Sequence, residues 1–320
     1  MKMANPKSIP LYPLAVATLV GLFLVNILGF IDTQTNSALG CGQEWPLCKG
    51  EIIPTVWDFH KAMEYIHRLS VVIDFALLLV LAFATWKRYR DHQLIRLLMT
   101  ICFAGFLSEA ALGALSVLFQ NPPAVLALHM GLALISFIGL YLWTVILRQV
   151  EIGHEKWLYR AAPPSVRKLG YWTWGTMIYS FLVIYFGAFV SFTESGVYFR
   201  GWPFPTESYD VAGTALLIDW THRLMAMVLL ILILQIMRRT YRIRKIRSDL
   251  WTESLKAFIW MVLQALSGAL LIYTKLHLMS FLLHVTFATF LVCSLSRMGL
   301  HLFLSLKKGK QLASTIIHES

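Results

Sequence analysis

Long apolar runs alternate with short polar breaks along the whole chain. Eight runs, at residues 11–30, 62–86, 95–119, 124–147, 171–192, 213–237, 256–274 and 279–300, are mostly apolar. Each approaches the ~20 residues a helix needs to cross the hydrocarbon core of a bilayer. The short alternating strands of a membrane β-barrel are absent, and helices are the other way to satisfy a backbone in lipid. The pattern therefore predicts an all-α integral membrane protein with eight transmembrane helices.

The breaks carry their own signals. Pro10 and Pro13 suit the start of the first helix, and Asn121-Pro122-Pro123 divides the third run from the fourth. Three breaks are long, 31–61, 148–170 and 193–212. Trp45 and Trp57 in the first of them suit the membrane interface. No small-x-small cleavage pattern follows the first run, so that run is expected to be retained.

The chain also repeats itself. His67 and His129 are 62 residues apart, as are His222 and His284, and each member of one pair lies 155 positions from its counterpart. His67-Arg68-Leu69 recurs as His222-Arg223-Leu224, and Gly113-Ala114-Leu115 as Gly268-Ala269-Leu270. Four spans per copy is an even number, so both copies run in the same sense through the membrane. The expected architecture is two tandem pseudo-symmetric four-helix bundles. The first covers 1–150 and includes the outer loop 31–61, the linker is 151–170, the second bundle is 171–300, and 301–320 is a tail.

Composition agrees with a membrane protein. The chain is 58% hydrophobic and 14% charged, against about 25% charged in a soluble domain. A net charge of +11 would suit nucleic acid, but the basic residues fall in alternate breaks, as topology markers do. The densest group, Arg238, Arg239, Arg242, Arg244, Lys245 and Arg247, reads as a cytoplasmic loop facing anionic lipid. Breaks 31–61 and 193–212 contain only Lys49, Lys61 and Arg200, so they face outward and both termini face the cytoplasm. His92, His154, His301 and His318 then fall on the cytoplasmic side, where solvation is expected.

Cys102 and Cys293 sit in apolar runs and read as small hydrophobes. Cys41 and Cys48 share the first outer loop, on the oxidising side. A disulfide is expected there, with two free thiols as the alternative.

The four repeated histidines stand at matched depth, near the outward ends of their helices. Two imidazoles from two helices of one bundle can meet at a common centre, and opposed imidazoles suit the axial positions of a haem iron. A helix–helix hydrogen bond is the simpler reading of one buried histidine, but not of two register-matched pairs. Glu64 precedes His67 by one turn, and Asp219 takes the matching place before His222. Arg68 and Arg223 follow the histidines and can meet haem carboxylates or snorkel to the headgroups. Asp74 lies deeper, and Glu109 in the third span has Gln264 as its counterpart.

With these residues in place, the chain resembles haem A synthase of the shorter bacterial type. The resemblance runs through Thr35-Asn36-Ser37, Cys41-Gly42-Gln43-Glu44-Trp45-Pro46-Leu47-Cys48, Glu64-Tyr65-Ile66-His67-Arg68 and Ala127-Leu128-His129. It continues through Gly187-Ala188, Thr193-Glu194-Ser195, His222-Arg223, Gln264-Ala265-Leu266-Ser267-Gly268 and His284. The family's pattern implies haem b on His222 and His284. It implies the substrate haem O on His67 and His129, with Glu64 important for activity. The implied reaction oxidises the C8 methyl of haem O to a formyl, giving haem A, by successive hydroxylations and loss of water. The implied setting is a bacterial cell membrane, with an electron donor and with haem O synthase and terminal oxidase assembly factors as partners. Related short-form enzymes often carry a second cysteine pair in the second outer loop. Here Ser195-Gly196-Val197-Tyr198-Phe199-Arg200-Gly201-Trp202-Pro203-Phe204-Pro205 has none, so the loop is expected either to be held by packing of Tyr198, Phe199 and Trp202 or to be mobile. A dihaem cytochrome b that only carries electrons is the alternative function, and a proton-coupled transporter a more distant one.

Overall fold

The computed structural model describes residues 10–154, 165–196 and 199–318, with side chains for all of these except 165 and 307–318. Residues 155–164 of the expected linker, and Tyr198 of the second outer loop, lie outside the described residues.

Eight described helices are long and apolar enough to span a membrane. They are α1 (Tyr12–Gln34), α2 (Phe59–Tyr89), α3 (Gln93–Leu118), α4 (Pro123–Glu151), α5 (Ser165–Phe192), α6 (Thr214–Arg242), α7 (Ser248–Tyr273) and α8 (Leu278–His318). A one-turn helix, Tyr209–Ala212, precedes α6. Gly213, at φ 57° and ψ −136°, separates the two, a conformation that side chains disfavour.

Several helices overrun their apolar cores. Asp58 accepts the Lys61 N–H at 2.9 Å and starts α2 ahead of the apolar run. α5 begins at Ser165, six residues inside the expected linker. The tail is helical as well, because Leu302 and Leu304 keep the buried face of α8 going past residue 300. His301 on this stretch is 1% exposed and not solvated as expected.

The chain divides into two compact units, Met1–Ile152 and Gly153–Ser320, of four long helices each. In unit 1, α1 packs on α2 and α4, and α3 packs on α4. The α3–α4 approach uses two glycines. A Cβ on Gly105 would lie 2.8 Å from the Ser136 backbone, and one on Gly139 the same distance from that of Cys102, the small-residue packing of helices in lipid. At the basic end, Glu151 closes α4 onto α1 by accepting the Leu11 and Tyr12 N–H groups at 2.7 and 3.1 Å. α2 and α3 meet at few positions. A groove of about 640 Å³ opens between the end of α2 and the start of α3, lined by Trp86, Arg96, Leu97, Thr100 and Phe103, far along both helices from the histidines.

In unit 2, α5 packs on α6 and α8, α7 on α8, and α6 runs closely along α7. Its core gathers Leu229, Ile233, Ile236, Met261, Leu291 and Leu295. The Thr240 and Ser254 hydroxyls meet at 2.6 Å across α6 and α7. At the basic end, fully buried Arg247 binds Asp249 through two nitrogens at 3.0 and 2.7 Å and Ser305 at 3.0 Å. This ties the α6–α7 turn to α8. Of the basic cluster, Arg247 is therefore a structural residue and not a lipid contact.

Candidate functional site

The four repeated histidines are brought together as two pairs, one in each unit. His67 on α2 lies within electrostatic reach of His129 on α4, and His222 on α6 within reach of His284 on α8. Among the described residues, no group of three or more His, Cys, Asp or Glu is arranged to hold a metal ion. Each unit thus offers two imidazoles.

Every one of these rings lies against a glycine of a neighbouring helix. A Cβ added to Gly29 on α1 would stand 2.9 Å from Cε1 of His67, and one on Gly187 of α5 would stand 2.8 Å from Cε1 of His222. The corresponding distances are 3.1 Å for Gly113 of α3 against His129 and 3.4 Å for Gly268 of α7 against His284. Gly113 and Gly268 were visible in the repeat. Gly29 was not, because it is related to Gly187 by 158 positions and not by 155. The first outer loop is three residues longer, which breaks the register.

Hydrogen bonds orient two of the rings. Nδ1 of His129 donates to the Glu109 carbonyl at 3.0 Å. Nδ1 of His284 meets the Ser267 hydroxyl at 3.1 Å, and that hydroxyl donates onward to the Gln264 carbonyl. A ring held at Nδ1–H keeps its lone pair on Nε2. In His284 the Gln264 amide nitrogen sits 2.9 Å from Nε2, so a metal at Nε2 requires that amide to swing aside. Nδ1 of His67 and of His222 are buried without a hydrogen-bond partner. The Val25 carbonyl lies beside the His67 ring, but without the alignment of a bond to Nδ1.

One turn nearer the loop end, an acid and an arginine clamp the outer loop in each unit. Glu64 accepts the Cys41 N–H at 2.6 Å and pairs with Arg68. Arg68 Nη1 reaches the Glu44 and Leu47 carbonyls at 3.0 and 2.9 Å. Cys41 and Cys48 form a disulfide, and Gly40 lies so close to the His60 backbone that a Cβ would stand 2.5 Å from it. In unit 2, Arg223 Nε pairs with Asp219 at 2.6 Å, and Nη1 reaches the Gly201 and Pro203 carbonyls at 2.6 and 3.0 Å. Arg223 Nη2 is buried and unpartnered. The second loop, which has no cysteine, is laced instead by Glu207. Its carboxylate accepts the Arg200 and Thr206 N–H groups at 2.9 and 3.0 Å. Slight burial opposes its ionisation, but these amides and its own hold it below the usual carboxylate range. Neither arginine is simply snorkelling.

The two interiors differ. Asp74 is 2% exposed, has neither oxygen hydrogen-bonded, and lies near Glu109. The matching positions of unit 2 hold Leu229 and Gln264. Asp32, which the repeat did not single out, lies beside Glu64 and Arg68.

These residues suit a haem in each unit. Each offers two imidazoles, and glycines leave room where a Cβ would intrude. Arg223 adds a buried, unused donor suited to a carboxylate.

The family model of COX15-CtaA, described as cytochrome oxidase assembly protein, matches residues 12–296. "Heme A synthase" of Bacillus cereus (strain 03BB102) is 31% identical over 308 residues, covering 94% of this chain and 96% of that protein. "Heme A synthase" of Lysinibacillus sphaericus (strain C3-41) is 32% identical over 274 residues, 84% of this chain and 88% of its own length.

Proposed function

Because the chain belongs to the COX15-CtaA family of cytochrome oxidase assembly proteins, we propose that it is a haem A synthase. In this reading it is a multi-pass membrane oxidoreductase that oxidises the C8 methyl of haem O to a formyl, giving haem A for terminal oxidase assembly. The observation that carries the reading is an asymmetry between otherwise matched cradles. Both have two glycine-backed histidines, but only the first has a disulfide loop bonded to an acid one turn from its histidine. The two units act as pseudo-symmetric four-helix bundles. The basic ends face the cytoplasm and the histidine pairs lie towards the outer side.

His222 and His284 would hold the resident haem b, and the buried, unpartnered Arg223 Nη2 would be available to one of its carboxylates. Bound haem b supplies one-electron redox chemistry. His67 and His129 hold the iron of haem O and set the depth and tilt of the substrate. Glu64 closes the disulfide loop over the cradle through the Cys41 N–H and its pair with Arg68. Arg68, whose donors are engaged by Glu64 and the loop, orients that lid, and a substrate carboxylate reaches it only by displacing a loop carbonyl. The lid and the packed histidines exclude water from the reacting edge. Surrounding lipid, an electron donor, haem O synthase and oxidase assembly factors are the expected partners.

The test is expression with a haem O source, followed by extraction and mass analysis of the pigments. Haem A is the expected product. Unchanged haem O, with unmodified haem in both units, would overturn the enzyme and leave the dihaem electron carrier that the likeness of the cradles also favours.

A further inference from the structure

α1 carries a buried carboxyl near the first cradle whose matching position in unit 2 is apolar. Asp32 stands one helical turn beyond Gly29 on the same face of α1, and Gly29 is the residue against the His67 ring. Asp32 is 5% exposed, and its Oδ1 is buried with no hydrogen-bond partner. Glu64 and Arg68 lie within its electrostatic reach. Three residues after Gly187, the matching position of α5 is Val190.

Charge counting separates the two acids. Glu64 has the Arg68 guanidinium and the Cys41 N–H. The other donor arm of Arg68 is spent on the Glu44 and Leu47 carbonyls, so no cation is left over for a second anion. Asp32 is also two residues from the end of α1 at Gln34, where unpaired carbonyls carry the negative end of the helix dipole. The remaining ionisable groups nearby are otherwise engaged. His60 meets the Ser37 hydroxyl, Lys61 Nζ donates to the Val56 carbonyl, and His67 lies behind Gly29. From α4 only His129 stands at this end, because Arg148 and Glu151 belong to the other end.

We propose that Asp32 and Glu64 form an acid pair at the mouth of the first cradle, with Glu64 the Arg68-bound partner and Asp32 the proton-holding acid that exchanges its proton with the hydroxyls on the oxidised substrate carbon. This rests on the reading of unit 1 as the haem O site. In the closing step the Asp32 carboxyl gives its proton to one hydroxyl of the hydrated aldehyde. That hydroxyl leaves as water while its C–O bond breaks. The Asp32 carboxylate then takes the proton of the other hydroxyl as the C=O bond forms. The acid is regenerated and no electron moves.

The first experiment needs no haem. Infrared spectra of detergent-solubilised protein at neutral pH are compared for wild type, D32V and E64Q. Valine is the residue unit 2 itself uses, and D32N serves if D32V does not fold. Wild type minus D32V should show a protonated-carboxyl C=O band that shifts in D2O and that E64Q keeps. If the lost intensity is that of a carboxylate, or no band is lost, the pair is overturned. The second experiment follows formyl formation from haem O. D32V should bind haem O normally and form the formyl at least about tenfold more slowly, with a flattened pH profile that D32E restores. A D32V variant with the wild-type rate and pH profile overturns the proton exchange. If wild type makes no haem A at all, the enzyme reading falls, and the infrared result still decides the pair.

Discussion

Adding one methyl group to the helices behind the histidines tests the cradles directly. In Gly187→Ala the new Cβ would stand 2.8 Å from Cε1 and 3.4 Å from Nε2 of His222. Ordinary contact begins at 3.4 Å, so the ring must retreat by about 0.6 Å. Overpacking of this kind costs about 1–3 kcal/mol, and the helix recovers up to about 1 kcal/mol because alanine is the better helix former. Stability should therefore change little, because the ring can swing into the cradle. The haem has no such freedom, because its iron needs Nε2 where the ring no longer places it. The whole cost then falls on affinity, about 5- to 150-fold. The assay is titration of the detergent-solubilised apoprotein with haem b, read in the Soret band, beside a thermal melt. The four glycines give an ordered series. Gly187→Ala and Gly29→Ala (2.9 Å) should weaken haem in their own units most and Gly113→Ala (3.1 Å) less. Gly268→Ala, already at 3.4 Å, should bind normally and melt slightly higher. Wild-type affinity in Gly187→Ala, or a larger loss in Gly268→Ala, would refute the idea that these glycines shape haem seats.

Three further outcomes follow from particular contacts. Arg247→Ala strands the buried Asp249 carboxylate and should cost about 3–5 kcal/mol, seen as a lower melting temperature of unit 2 with the haem seats of unit 1 unaffected. Glu64→Gln should fold but complete the oxidation poorly, with extracted pigment stalled before the formyl, while a wild-type haem A yield would remove the role given to Glu64. Glu207 has a lowered pKa, so its bracing of the second loop is present at neutral pH and is lost as pH falls through that depressed value. Limited proteolysis between 193 and 212 should accelerate only on the acid side, and Glu207→Gln should cut at the fast rate at every pH.

Much of this was legible in the sequence because lipid leaves few choices. Apolar length alone picks out the eight helices, and a register-matched histidine repeat picks out the two pairs. Helix ends were less legible. α2 begins early because Asp58 caps it, and α8 continues past residue 300 because Leu302 and Leu304 still find partners, and neither fact shows in hydropathy. Arg68 and Arg223 follow the histidines directly in the sequence. Their hold on loop carbonyls was not readable, since backbone acceptors carry no residue type. Asp32 escaped notice for a related reason. The repeat highlights what the two copies share, and Asp32 is one of the places where they differ.

The uneven packing of the two units has a kinetic meaning. A ligand seated beside α6 and α7 is shut in by helices that lie along one another, and leaving would require those helices to part. α2 and α3 meet at few positions, so a ligand leaving between them would have less packing to part. Residence time would then differ between the seats even if their affinities were equal. On the reading proposed above, an occupant of the second unit would leave more slowly than one of the first.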